Sequence, residues 1–374
     1  MVNLRKNLYI ILLSVLCCAN VHKGLAQQFQ NAPEQPIKIG LLLPDAKSIE
    51  AKYGAELAVA EANEKGGVLG SPIQMITRSL EGSWGTGSKE VVDLVFKEKI
   101  WAIMGSHDGR NAHLVEQVIA KTRVVFISAL ASDPTLSQAY VPWYFSVVPN
   151  DQQQAKALID ELHTKRKLDR VAVVMDKTYD AQMAWKSLLE EMKKAGMPPP
   201  EPFYYDETPE NFNDIIHRIK DLKATAIILI GQPPRSWNFI DQLRLQSMDQ
   251  PVFGTLSVLG ESVFFERQMK AYDQIILIGS ENWLSSKPLS FQKKFYNAYG
   301  KNPGAAAAYA YDGMKVLIKA LEYAKLDREK MQESMFKIQI QGVTGTVRFD
   351  EKGRRANAPQ LIEINGGNPV LLVK

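Results

Sequence analysis

Cysteine is nearly missing from this chain of 374 residues: only Cys17 and Cys18 occur, side by side. Both lie in an apolar segment, Leu8 to Ala19, which follows Arg5 and Lys6 and precedes the small residues of Gly24-Leu25-Ala26. A basic start, an apolar stretch and a small-residue site describe a secretory signal peptide, expected to be cleaved after Ala26. The stretch is about a dozen residues, short of the roughly 20 that a helix needs to cross a bilayer; a retained anchor is the competing reading. A lipidated cysteine wants a small residue before it, and here Leu16 and Cys17 stand in that place. Once residues 1–26 are removed no cysteine remains, which excludes disulfides, thiol catalysis and cysteine-ligated metals.

An excess of one charge is missing as well. With Arg5, Lys6 and Lys23 gone, 42 basic residues face 41 acidic ones. The densest basic run, Lys165-Arg166-Lys167, falls at an expected helix end, where it complements the dipole. No clustered basic stripe is present, so a nucleic-acid partner is not expected. Catalytic signatures are also absent. The loop Gly82 to Lys89 has Ser88 between Gly87 and Lys89, which breaks a phosphate-loop pattern. Gly105-Ser106-His107-Asp108-Gly109 places its serine second rather than third, so it is no nucleophile elbow. His107 and His113 are six residues apart, where four would align two metal ligands on a helix face. Glu190-Glu191 reads as an exposed helix face. The expectation is a non-enzyme with no cofactor and no metal.

What the chain does contain is a regular alternation. Ile37 to Leu43 is an apolar run, a helical stretch follows, Asn63-Glu64-Lys65-Gly66-Gly67-Val68-Leu69-Gly70 makes a turn, and Ile73 to Ile76 is apolar again. This is a parallel βαβ opening. Further strand-like runs occur at 101–105, 124–128, 144–148, 170–176, 224–231, 251–255 and 274–279, with amphipathic stretches such as Gln152 to Lys165, Ala181 to Ala195 and Phe212 to Leu222 between them. Continuous apolar strands alternating with helices predict parallel sheets covered on both faces, an α/β fold. About 350 residues remain after processing, which suits two domains. No polar linker divides them, so the chain is expected to pass between two sheets near Val147 to Asn150, Ile278 to Glu281 and Gln341 to Thr344.

Several motifs in order resemble one family. Tyr53-Gly54 opens the first helix, Asn63 to Gly70 forms the glycine turn, Ile103-Met104-Gly105 ends a strand, and Phe349-Asp350-Glu351-Lys352-Gly353 makes a closing hairpin. Together they resemble type I periplasmic solute-binding proteins, the leucine/isoleucine/valine-binding family, over nearly the whole mature chain. The resemblance implies two Rossmann-like lobes joined by three crossovers, with a cleft between them. Lobe one would take residues 37–148 and 280–341, lobe two 149–279 and 342–374, with 27–36 as an N-terminal extension.

It also implies a site. Ligands in such folds bind where loops leave strand ends and enter helices. The loop Ser106 to Asn111, which includes Asp108, matches the one that holds a ligand carboxylate with backbone N–H groups and a serine hydroxyl, and Gly109 lets the backbone approach closely. Arg110 stands near the place of a hydroxyl residue, and either grips a carboxylate or pairs with Asp108. Leu130 and Ser132 match the carbonyl and hydroxyl that receive an amino group; Ser132 also reads as a turn or cap residue. Tyr179 matches a tyrosine that contacts the ligand, and Tyr53, Gln232, Trp283, Trp84 and Trp237 are further cleft candidates. One position departs from the pattern: Gly254-Thr255-Leu256-Ser257 carries no acid where amino-acid binders neutralise the ammonium, so Leu256 makes ordinary α-amino acids doubtful ligands. Asp108, Asp180 and Glu281 are the candidate substitutes. The function implied is the monomeric periplasmic receptor of an ABC importer, taking an amino acid, amide or small carboxylate to the importer's membrane subunits. The alternative is an exported sensing or pathway-associated binding protein.

Overall fold

The computed structural model describes residues 35–45, 48–82, 85–105, 108–138, 140–206, 211–260, 272–280, 284 and 290–372. The leader lies outside them. The opening unit is β1 (Ile37–Leu43), α1 (Glu50–Glu64) and β2 (Ile73–Ser79), with β1 and β2 parallel. Its turn is fixed by Asn63, whose side-chain amide donates to the Ile73 carbonyl at 2.9 Å and accepts from the Ile73 N–H at 2.8 Å. Gly67 has φ +71°, and a Cβ there would lie 2.0 Å from the Ser71 carbonyl, so glycine is required.

After α2 (Thr86–Phe96) come β3 (Ala102–Gly105), α3 (Gly109–Thr122), β4 (Val125–Ser128) and β5 (Tyr144–Ser146). They complete a parallel sheet of order β2-β1-β3-β4-β5. Strands β3, β4 and β5 are buried at every residue, which is why each reads as an unbroken apolar run rather than an alternation.

The chain then enters α4 (Asp151–Ile159) through a capping box, in which Asn150 accepts from the Gln153 N–H and the Gln153 side chain accepts from the Asn150 N–H. A π-helical turn (Asp160–Lys165) ends that helix. A second sheet follows, built from β6 (Val171–Asp176), β7 (Phe203–Tyr205), β8 (Ala226–Ile230), β9 (Val252–Gly254) and β10 (Ile275–Ile278), all parallel to their neighbours. Between them lie α5 (Tyr179–Lys194), α6 (Asn213–Asp221), α7 (Arg235–Leu245) and a 3-10 turn, Leu256–Leu259.

The C-terminal part returns to the first sheet. α8 (Ser290–Tyr299), α9 (Ala305–Ala324) and α10 (Arg328–Lys337) precede a hairpin of β11 (Gln339–Gly342) and β12 (Gly345–Arg348). α9 crosses α1 closely at Gly54, where a Cβ would lie 2.1 Å from the Ala307 carbonyl oxygen. A bridge between Phe349 and Arg355 follows, beside β5: the Ser146 N–H donates to the Gly353 carbonyl at 2.9 Å. Then β13 (Leu361–Asn365) and β14 (Asn368–Leu372) join the second sheet antiparallel, giving the order β14-β13-β10-β9-β8-β6-β7. The α/β fold is as expected, except that the second sheet is mixed at this edge.

Buried Arg355 binds the passages between sheets. It donates to the carbonyls of Val147, Thr344 and Thr346 at 2.6 to 3.0 Å and to Thr344 Oγ1 at 3.0 Å. Buried Asp312 complements it, accepting from the Val343 and Thr344 N–H groups and from Thr344 Oγ1. Among the described residues, no helix is long and apolar enough to cross a membrane.

Candidate functional site

The carboxyl ends of the second sheet's strands point toward the N-terminus of α3 from the first. Asp176 ends β6, Gly231 follows β8 and Thr255 follows β9, and all three line one cavity. Thr178 and Asp180, at the start of α5, line it too; Thr178 caps that helix by accepting from the Ala181 N–H. Asp151 and Gln154 of α4, Ser132 after β4, and Gln232 and Ser257 complete the polar lining of a narrow cavity of about 30 Å³. Gln154 also braces the floor, accepting from the Leu256 N–H at 2.9 Å and donating to the Pro149 carbonyl at 2.8 Å.

Above the cavity the two halves touch. The Gly109 N–H, in the first turn of α3, donates to Asp180 Oδ1 at 2.9 Å. Tyr179 Oη donates to Asp133 Oδ2 at 2.8 Å. Gly109 leaves room for this approach: a Cβ there would lie 2.9 Å from Asp133 Cβ and 3.1 Å from the Tyr179 ring. The Arg110 guanidinium lies 5.7 Å from the centre of the Tyr179 ring, a cation–π distance.

Burial dominates the electrostatics. It pushes the Asp151 carboxyl well above the usual aspartate range, against a hydrogen bond from Ser132 that pulls it down, and neighbouring Asp180 and Asp133 raise it further. Burial also lifts Asp180 to about 6, with the Gly109 N–H and Arg110 opposing and Asp108 and Asp133 adding to the rise. Burial alone would raise Asp133 as well. Hydrogen bonds from His113, Thr135 and Tyr179 outweigh it and hold that carboxyl low. His113 in turn is raised to about 9 by Asp133 and Glu116.

Of the residues singled out in the sequence, Ser132 and Gln232 line the cavity, and Gly109, Arg110 and Tyr179 form the contact above it. Asp180, weighed as a substitute acid, lines the cavity and reaches Gly109. Leu256 is buried beneath, contributing its N–H to Gln154. Asp108 caps its own helix, accepting from the Asn111 N–H at 2.9 Å, while Arg110 lies over the Tyr179 ring. Leu130 packs half-buried on the core. Tyr53 stands apart from the cavity, stacked on Tyr299 with ring centres 4.1 Å apart. Trp237 is a core residue whose indole N–H donates to the Val258 carbonyl at 2.9 Å. Ser106, Trp283, Trp84, His107 and Glu281 lie outside the described residues.

Sequence reasoning missed Asp151, Asp176, Asp133 and Gln154. Asp176 had a local signal, a carboxylate closing an otherwise apolar strand at the end where such folds bind ligands. Asp151 and Asp133 read as ordinary helix-start and turn residues, and only the fold brings them together.

A family model described as periplasmic binding protein matches residues 36–368. Among curated proteins, an amino acid binding protein of Pseudomonas aeruginosa is 22% identical over 305 residues, 80% of this chain and 81% of its own. A Leu/Ile/Val-binding protein homolog 2 of Brucella abortus is 22% identical, with 84% of each chain covered. Among solved structures, LivJ of Streptococcus pneumoniae in complex with isoleucine superposes with a TM-score of 0.76 at 21% identity, covering 90% of this chain and all of that one. A solute binding protein of R. palustris in complex with benzoate gives 0.78 at 18% identity, over 90% and 95%. These structural likenesses carry the fold.

Proposed function

Because this chain belongs to the periplasmic binding protein family, we propose that it is the exported receptor of an ABC importer, closing two lobes around a small polar solute. The observation that carries this reading is the cavity itself, lined by second-sheet strand ends and roofed by the Gly109–Asp180 and Tyr179–Asp133 contacts to the other half. Cross-lobe contacts of this kind let a ligand shift the balance between open and closed states. The lobes expected at 37–148 with 280–341 and at 149–279 with 342–374 are proposed here with the last passage moved, giving 37–148 with 280–355 and 149–279 with 356–372. The last passage is set after Arg355 because Gly353 is still bonded beside β5. Cleavage after Ala26, a monomeric state and docking of the closed form on importer membrane subunits belong to the same proposal.

The relatives' names supply the solute classes: amino acids for the Pseudomonas aeruginosa protein, isoleucine and benzoate in the two complexes. A thermal-shift screen over amino acids, amides, amines and small carboxylates is the test. A ligand that binds the native state at about 100 times its Kd raises stability by about 2.7 kcal/mol. If no solute of any class shifts the melting temperature, the receptor reading is wrong.

A further inference from the structure

We propose that the solute taken by this cleft is a small organic cation, an amine with net positive charge and no carboxylate, and that Asp151, ionised once the bound cation offsets its burial, is its principal partner. The inference rests on the receptor reading above and names the ligand class for the same site. The first support is the composition of the lining: Asp151, Asp176 and Asp180 converge there, and no lysine or arginine is among the described lining residues. Of the cations nearby, Lys177 pairs with Asp206 at 2.5 Å and Arg110 lies over the Tyr179 ring, while Arg235 is near enough to Tyr205 to act on its hydroxyl.

The second support is one unpartnered carboxyl oxygen. Asp151 is 4% exposed, lines the cavity, and its Oδ2 has no hydrogen-bond partner among the described residues. Buried polar atoms are nearly always bonded, and an orphan facing a cavity asks for a donor. An ammonium offers N–H donors and the opposite charge at once. A second orphan lies close by. Tyr205 Oη is buried without a partner, and a Cβ at Gly231 would sit 1.8 Å from it and 3.2 Å from Asp176 Oδ2.

The third support is what occupies the α3 N-terminus. A helix start with a free N–H is where this fold receives a carboxylate, but here the Gly109 N–H already holds Asp180, a carboxylate of the protein itself. A ligand carboxylate would have to displace Asp180 and then sit among three aspartates. Ligand charge and site charge would be alike, and like charges at contact distance are repelled.

The test is isothermal titration of the purified protein with ethylamine, 1,4-diaminobutane, L-leucine and benzoate. At least one of the two amines is expected to bind, and leucine and benzoate are not. Asp151→Asn, close in shape and uncharged, should weaken amine binding by about 30-fold or more, the lower end of the effect of removing one member of a buried charge pair. Asp180→Ala frees the Gly109 N–H and should let benzoate bind where the wild type does not, a gain of function that a folding defect in the first variant cannot mimic. Leucine or benzoate bound by the wild type as tightly as the amines would overturn the cation assignment and leave the receptor reading standing. Unchanged amine affinity in Asp151→Asn would also overturn it. Failure of all four probes, with no hit in the thermal screen either, would remove both.

Discussion

His113 reaches across the outer face of α3 to two acids, with Nδ1 3.0 Å from Glu116 Oε2 and Nε2 3.3 Å from Asp133 Oδ2. Its raised value, about 9 against an ordinary 6.5, means the folded protein holds the proton more tightly than the unfolded chain. The contribution is therefore complete below about pH 6.5 and is lost as pH rises through 9. Asp133 depends on this proton, since His113 is one of the partners that keep it ionised under the Tyr179 hydroxyl. The urea midpoint is expected to fall between pH 6.5 and 9, and the fall should be smaller in His113→Gln. A flat wild-type profile over that range would show that the imidazole is not held as an imidazolium.

At the scale of elements, Gly54 shows how a sequence motif acquires its cause. The Tyr53-Gly54 pair was read as a family mark near a ligand. Instead Gly54 lets α1 and α9 touch backbone to backbone, and Tyr53 fills the adjoining space against Tyr299. Gly54→Ala would force the helices apart, and the expected loss is about 2 kcal/mol, within the usual range for overpacking. Differential denaturation of variant and wild type measures it, and an unchanged midpoint would mean the crossing relaxes freely. Among the strands, β6 and β8 were legible because burial on both faces makes them continuous apolar runs. β7 was missed: Phe-Tyr-Tyr is three residues with its middle side chain exposed, too short for any period. β13 and β14 were missed because an antiparallel edge pair leaves polar residues such as Glu363 and Asn368 in its pattern.

For the whole molecule, the central tie is Arg355. Its guanidinium satisfies carbonyls from the first passage between sheets and from the β11–β12 hairpin, so it fastens segments that lie far apart in the chain. Arg355→Met removes all of these donors and leaves buried acceptors unpaired, at an expected cost of about 3 kcal/mol or more. Because the first passage between sheets and the β11–β12 hairpin share this one group, calorimetry should show one transition displaced downward rather than two separated ones. Two resolved transitions in the variant would point to lobes that fold independently of this tie. The candidate site was only partly readable for a related reason. Its acids come from three stretches around 133, 151 and 176–180, and nothing local in any of them says that they converge. Gly109, Ser132 and Tyr179 were singled out by the family resemblance and Gln232 by its place after a strand end, and all four lie at or above the cavity.

The mixed edge of the second sheet has a bearing on how the chain reaches this form. β10 keeps a bare edge until β13 arrives from far downstream, after the whole α8–α10 segment has been laid against the other sheet. Pairings this distant in sequence form late, since loop closure has to precede them. The second sheet is therefore expected to gain its last two strands after its parallel part has formed.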